Sequence, residues 1–118
     1  MPATIALEQR DDVWILSVSG ELDYAECSGF RMYIDRILKA VPPSVVVDFS
    51  TLDYLDSSGL GLLLSLSREY SASGGRLAIV TNQTVDSILE ITRLAGIFTT
   101  AASLDEALAK LKDTTPSN

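Results

Sequence analysis

The stretch SVVVDFSTLDYLDSSGLGLLL, residues 44–64, decides the fold. It opens on the run SVVVDFS (44–50), whose Val45-Val46-Val47 triplet is continuous where a half-solvated strand would alternate. Such continuity marks a strand covered on both faces, since a solvated face would place a polar residue at every second position. A polar turn is expected from Asp53 to Gly59, followed by a leucine-rich helix from about Ser58 to Ser73 that Gly74-Gly75 stops. A doubly covered strand that hands over to a helix is the repeating unit of a parallel α/β sheet.

Working upstream, Pro42-Pro43 ends a helix, because proline lacks the amide and its ring crowds the preceding turn. Cys27, Phe30, Ile34, Ile37, Leu38 and Val41 recur at three- and four-residue spacings from Tyr24 onward, one face of that helix. Before it, Thr4–Leu7 and Trp14–Ser19 read as strands joined by a polar turn at residues 9–12, with Gly20 closing the hairpin. Downstream, Arg76–Val80 is a strand, and Thr84 starts a helix through Val85, Ile88, Leu89 and Thr92. Ile97–Ala101 is a short last strand. Ser103 caps a final helix through Leu104, Ala107, Leu108 and Leu111, with Glu106 as its capping-box partner. The expected architecture is one α/β domain over residues 1–112. It has a mostly parallel sheet of four to five strands, an initial antiparallel hairpin and about four helices, and residues 113–118 form a disordered tail.

Composition narrows the function. The net charge is −7 and the nine Lys and Arg residues are scattered singly, so no basic patch offers itself to nucleic acid. The absence of histidine removes a Ser-His-Asp triad, a phosphohistidine carrier and any histidine-bound metal. Cys27 is the single cysteine, consistent with a reducing compartment, and LGLLLSL (60–66) is far too short to span a bilayer. The expectation is a cytoplasmic monomer that uses no cofactor, holds no metal and is not an enzyme.

Chemistry in open α/β sheets gathers beyond the carboxyl ends of the strands. Two loops qualify, SGELDYAE (19–26) and LDYLDSSGLG (52–61), both acidic and both ending at a helix N-terminus. Capping alone accounts for Asp56-Ser57-Ser58, whose side chains accept hydrogen bonds from first-turn amides. A second reading takes these serines as a switch, since a helix N-terminus suits a phosphate and Gly59 and Gly61 let another backbone approach. Leu60, Leu62, Leu63, Leu64 and Leu66 surround most of the following helix. With Leu63 and Leu64 turned to the core, Leu60 or Leu62 is left for a partner to cover. Cys27 and Trp14 are expected to pack in the core or on the sheet.

GELD (20–23), VVVDFSTLDYLDSSGLGLLL (45–64), GGRLAIV (74–80) and LAGIF (94–98) together resemble the STAS-domain anti-sigma factor antagonists, in order and spacing over residues 4–110. The resemblance implies a protein that, unphosphorylated, binds an anti-sigma factor doubling as a serine kinase and so frees a sigma factor. It implies phosphorylation of Ser57 by that kinase, which brings its own Mg-ATP, and resetting by a serine phosphatase. Asp23, Asp56, Ser57, Ser58, Gly59, Leu60 and Gly61 would form the docking patch. The alternative is a scaffold or ligand-binding STAS module without sigma-factor control, because fold does not fix function. A phosphoacceptor role for Asp48, as in receiver domains, fails. Asp11-Asp12 lie in the turn of the first hairpin, before Trp14, and no lysine lies between Lys39 and Lys110.

Overall fold

Val45, Val46 and Val47 are fully buried at the middle of a six-stranded sheet, in a computed structural model that describes residues 2–113. The strands are β1 (Thr4–Arg10), β2 (Val13–Leu22), β3 (Ser44–Asp48), β4 (Leu52–Leu55), β5 (Arg76–Val80) and β6 (Thr100–Ala101). Four α-helices connect them: α1 (Cys27–Ala40), α2 (Ser57–Ala72), α3 (Gln83–Ile91) and α4 (Leu104–Asp113). The order across the sheet is β1-β2-β3-β5-β6, with β4 added beside β2. Only β1 runs antiparallel, pairing with β2 from Thr4 opposite Ser19 to Arg10 opposite Val13. The remaining pairings are parallel.

The valine run is continuous because both sheet faces are covered. Val45 and Val47 join Phe30, Ile34 and Ile37 of α1, Leu63, Leu66 and Tyr70 of α2, and Val85 and Leu89 of α3. Val46 points the other way, to Ala107 and Leu111 of α4. The mostly parallel α/β fold with its initial hairpin is therefore the one read from the sequence.

Four local details differ. The segment expected as turn from Asp53 supplies an extra strand, β4. Strand β2 does not end at Gly20 but continues to Leu22, bulging between Gly20 and Glu21, and offers its free edge to Leu52–Leu55. Buried Leu52 and Leu55 anchor that strand, so tertiary pairing overrides the turn composition. The first helix begins with a 3-10 turn, Tyr24–Glu26, before α1 starts at Cys27. The last strand keeps only Thr100 and Ala101, leaving Ile97 54% exposed. Residues 114–118 of the expected tail lie outside the described residues, and Asp113 belongs to α4.

Other expectations hold. Helix α1 stops at Ala40, one residue before a left-handed Val41 and the two prolines. At α4, the Ser103 hydroxyl accepts from the Glu106 amide at 3.1 Å, while the Glu106 carboxylate accepts from Ala102. The carboxylate thus reaches one residue further back than in the usual box. The far end of α2 is sealed: buried Tyr70 donates its hydroxyl to the Pro42 carbonyl, and the Gly75 amide bonds to the Tyr70 carbonyl at 2.9 Å. A Cβ on Gly75 would stand 2.2 Å from the Tyr70 ring, so only glycine fits there.

Candidate functional site

Asp56 organises the carboxyl end of the sheet. Its backbone is extended, and one carboxylate oxygen accepts from the amides of Ser58 at 2.9 Å and Gly59 at 3.1 Å, capping α2. The other oxygen accepts from the amide of Tyr24 at 3.0 Å, across to the GELD loop. Asp23 in turn caps the 3-10 turn by accepting from the Glu26 amide at 3.2 Å, and Glu26 accepts from the Ala3 amide at 2.7 Å. The backbone adds a bond from the Asp56 amide to the Leu22 carbonyl. The two acidic loops singled out in the sequence are therefore one structure, tied by a single aspartate.

Behind this junction, Asn82 caps α3 by accepting from Val85 and donates its side-chain amide to the carbonyls of Ser50 and Leu52. The segment leading into β4 is thereby fixed to α3. Asp48 accepts from the Ser50 amide at 2.9 Å, a turn-forming role.

On this frame Ser57 occupies the first position of α2 and is exposed, while Ser58 is half-buried. Gly59 is buried, because a Cβ there would meet Leu55 at 2.7 Å and Leu22 at 3.0 Å. Gly61 is exposed, and a Cβ on it would meet nothing within 4 Å. Of the two leucines left in question by the sequence, Leu60 turns inward at 7% exposure and Leu62 stays half-buried at the surface. Gly59 and Leu60 thus hold the patch from beneath, and Asp23, Asp56, Ser57, Ser58 and Gly61 are available above them.

The structure adds residues that the sequence reading did not assign to the site. Tyr24, Cys27 and Arg31 of the first helical segment face Ser57, Gly61 and Ser65 of α2 across an open groove of about 380 Å³, with Ser58 and Leu62 completing its walls. Cys27, the first residue of α1 directly after the 3-10 turn, is accordingly half-buried in a groove wall, not in the core as expected. Burial pushes its thiol above the ordinary range, helped by the charges of Asp56 and Asp23 and opposed by Arg31. Such a thiol stays protonated and is a poor nucleophile. Tyr24 is 80% exposed at the groove mouth. The spacings Tyr24–Cys27–Arg31 and Ser57–Gly61–Ser65 are regular helical stripes, a signal present in the sequence; what it lacked was which stripes face each other.

Among the described residues no cluster of three or more Cys, Asp or Glu is placed to hold a metal ion, and no helix is long and apolar enough to cross a membrane.

Residues 4–107 match the family model of the STAS domain. The chain belongs to the STAS domain family. It is 30% identical to an anti-sigma F factor antagonist of Paenibacillus polymyxa over 114 residues, covering 95% of this chain and 97% of that one. It is 27% identical over 70 residues to an anti-sigma-F factor antagonist of Mycobacterium tuberculosis, covering 59% and 57%. The crystal structure of an anti-sigma factor antagonist from Mycobacterium paratuberculosis superposes with a TM-score of 0.84 at 27% identity, covering 94% of this STAS chain and 95% of that one. The family membership read from GELD and DSSG is correct, and Asp56 is the residue that joins those two motifs in space.

Proposed function

We propose that this STAS domain is an anti-sigma factor antagonist whose docking face is switched by phosphorylation of Ser57. In the bare form, the face built on Asp23, Asp56, Ser57, Ser58 and Gly61 binds an anti-sigma factor that is also a serine kinase, and a sigma factor is released. The kinase transfers a phosphoryl group from Mg-ATP to Ser57, and a serine phosphatase removes it. The domain acts as a binding module in the cytoplasm and catalyses nothing itself.

The observation that carries this reading is that Ser57 is exposed beside the open groove, directly after the Asp56 cap. A kinase can reach it without opening the fold. Phosphate there adds about −1.5 to −2 charge at neutral pH, next to Asp56 and Asp23. Placing that charge unpaired in an interface costs several kcal/mol, and each ~1.4 kcal/mol is tenfold in affinity. A loss of hundreds-fold follows without refolding. Support for the partner class comes from relatives named as anti-sigma factor antagonists along nearly the whole chain.

The test is a binding and kinase assay against candidate anti-sigma kinases with wild type, Ser57→Ala and Ser57→Glu. Ser57→Ala should bind constitutively and take no phosphate, and Ser57→Glu should bind at least ten-fold more weakly. Equal binding by the two variants, or phosphate located on another residue, overturns the switch.

A further inference from the structure

Phosphate at a helix N-terminus ordinarily takes hydrogen bonds from the first-turn amides. In this protein two of those donors, the Ser58 and Gly59 amides, are already taken by Asp56, which also accepts from Tyr24 on the facing loop. A phosphoryl group on Ser57 therefore meets two neighbouring carboxylates and needs a cation from elsewhere. Arg31 is the one cation among the described residues lining the groove that Ser57 also lines. It stands on α1 one turn past Cys27, is exposed, and no ion pair among the described residues holds its guanidinium. The other arginine on that helix, Arg36, lies over the Tyr33 ring at 5.5 Å. Cys27, whose thiol the charges of Asp56, Asp23 and Arg31 all act on, lines the same groove as Ser57 and Arg31.

We infer that a phosphoryl group on Ser57 is clamped within the chain by Arg31, so that phosphorylation adds charge to the docking face and also withdraws its cation from a partner. This rests on the reading of Ser57 as the modified residue. The planar guanidinium can take two phosphate oxygens at once, which a lysine cannot do. In the bare form Arg31 is exposed on the groove it shares with Tyr24 and Cys27, available to an acidic group on the partner. The phosphorylated form turns it back across the groove. Phosphorylation thus changes two features of the face with one covalent event.

The experiment needs neither kinase nor partner. Phosphoserine is placed at position 57 during translation, and the second phosphate ionisation is followed by phosphorus NMR in the full chain and in Arg31→Gln, Arg36→Gln and Arg31→Lys. The groups facing the phosphate are Asp23, Asp56, Tyr24, Cys27 and Arg31, with the N-terminal end of α2 beneath it. Arg31→Gln should raise the second pKa by about 0.3–0.7 unit, the shift an exposed ion pair supplies. Arg36→Gln removes the same charge further away and should shift it by much less, and Arg31→Lys should recover part of the effect. Equal shifts in Arg31→Gln and Arg36→Gln, or none in either, overturn the clamp. A kinase that ignores Ser57 would sink the switch but leave this titration intact; equal shifts would sink the clamp and leave the kinase assay intact.

Discussion

At its first turn α2 holds Ser57 in solvent, with a carboxylate from outside the helix taking the free amides. At its last turn the same helix buries Tyr70 completely, ties its hydroxyl to Pro42 and closes Gly75 against its ring. One end is held by hydrogen bonds that leave the surface open. The other is held by packing of the buried Tyr70 ring against Gly75. Substitutions at the two ends should therefore fail differently: the sealed end should lose stability, and the open end should lose local order and binding first.

The sharpest break in that contrast is Gly75→Ala. Its methyl group would overlap a ring that has nowhere to go, so equilibrium unfolding in denaturant should show a loss of about 3 kcal/mol. A loss below about 1 kcal/mol would mean that the sealed end yields easily, and the contrast would dissolve.

Tyr70→Phe should cost about 2 kcal/mol, since it leaves the buried Pro42 carbonyl without its donor. This residue also carries a pH signature. Burial pushes the Tyr70 phenol up to about 12, a rise that the backbone amide of Arg76 partly offsets. The folded state therefore favours the neutral phenol. The stability it contributes is fully present below the ordinary tyrosine value of ~10 and is lost as pH rises toward 12. Wild type should lose stability over that alkaline window faster than Tyr70→Phe, as measured by thermal melts at stepped pH. Parallel curves for the two proteins would show that the phenol is not sealed.

At the open end, Asp56→Ala should cost only about 1 kcal/mol overall, the usual worth of a helix cap. Its distinguishing effect is local. Amide exchange at Tyr24 and Ser58 should quicken together, because one carboxylate serves both. Faster exchange at Ser58 alone would show that the GELD loop holds itself in place.

Much of this contrast was legible in the sequence. The valine run announced a doubly covered strand, the prolines and paired glycines marked helix ends, and DSSG and GELD each announced a capped helix start. What could not be read was contact between distant segments. Nothing local says that Asp56 reaches thirty-two residues back to Tyr24, because the bond depends on how two loops meet. Strand β4 was hidden for the same reason: Leu52–Leu55 is a strand only because β2 runs past β3 and exposes an edge for it. Cys27 misled because its spacing fits the apolar face of α1, while at the first position of that helix it lines the groove instead. Leu60 and Leu62 stand two positions apart on a helix that is apolar nearly all round, so periodicity could not say which was buried.

The first described residues have a practical consequence. The Pro2 carbonyl lies so close to Gly20 that a Cβ there would come within 2.5 Å of it, and the Ala3 amide is bound by Glu26 at 2.7 Å. Any affinity handle or fluorescent label joined ahead of Pro2 would start close to Gly20 and Glu26, next to the proposed docking face. Attachment beyond α4, which covers the opposite side of the sheet, keeps such cargo clear, and immobilised assays should be oriented accordingly.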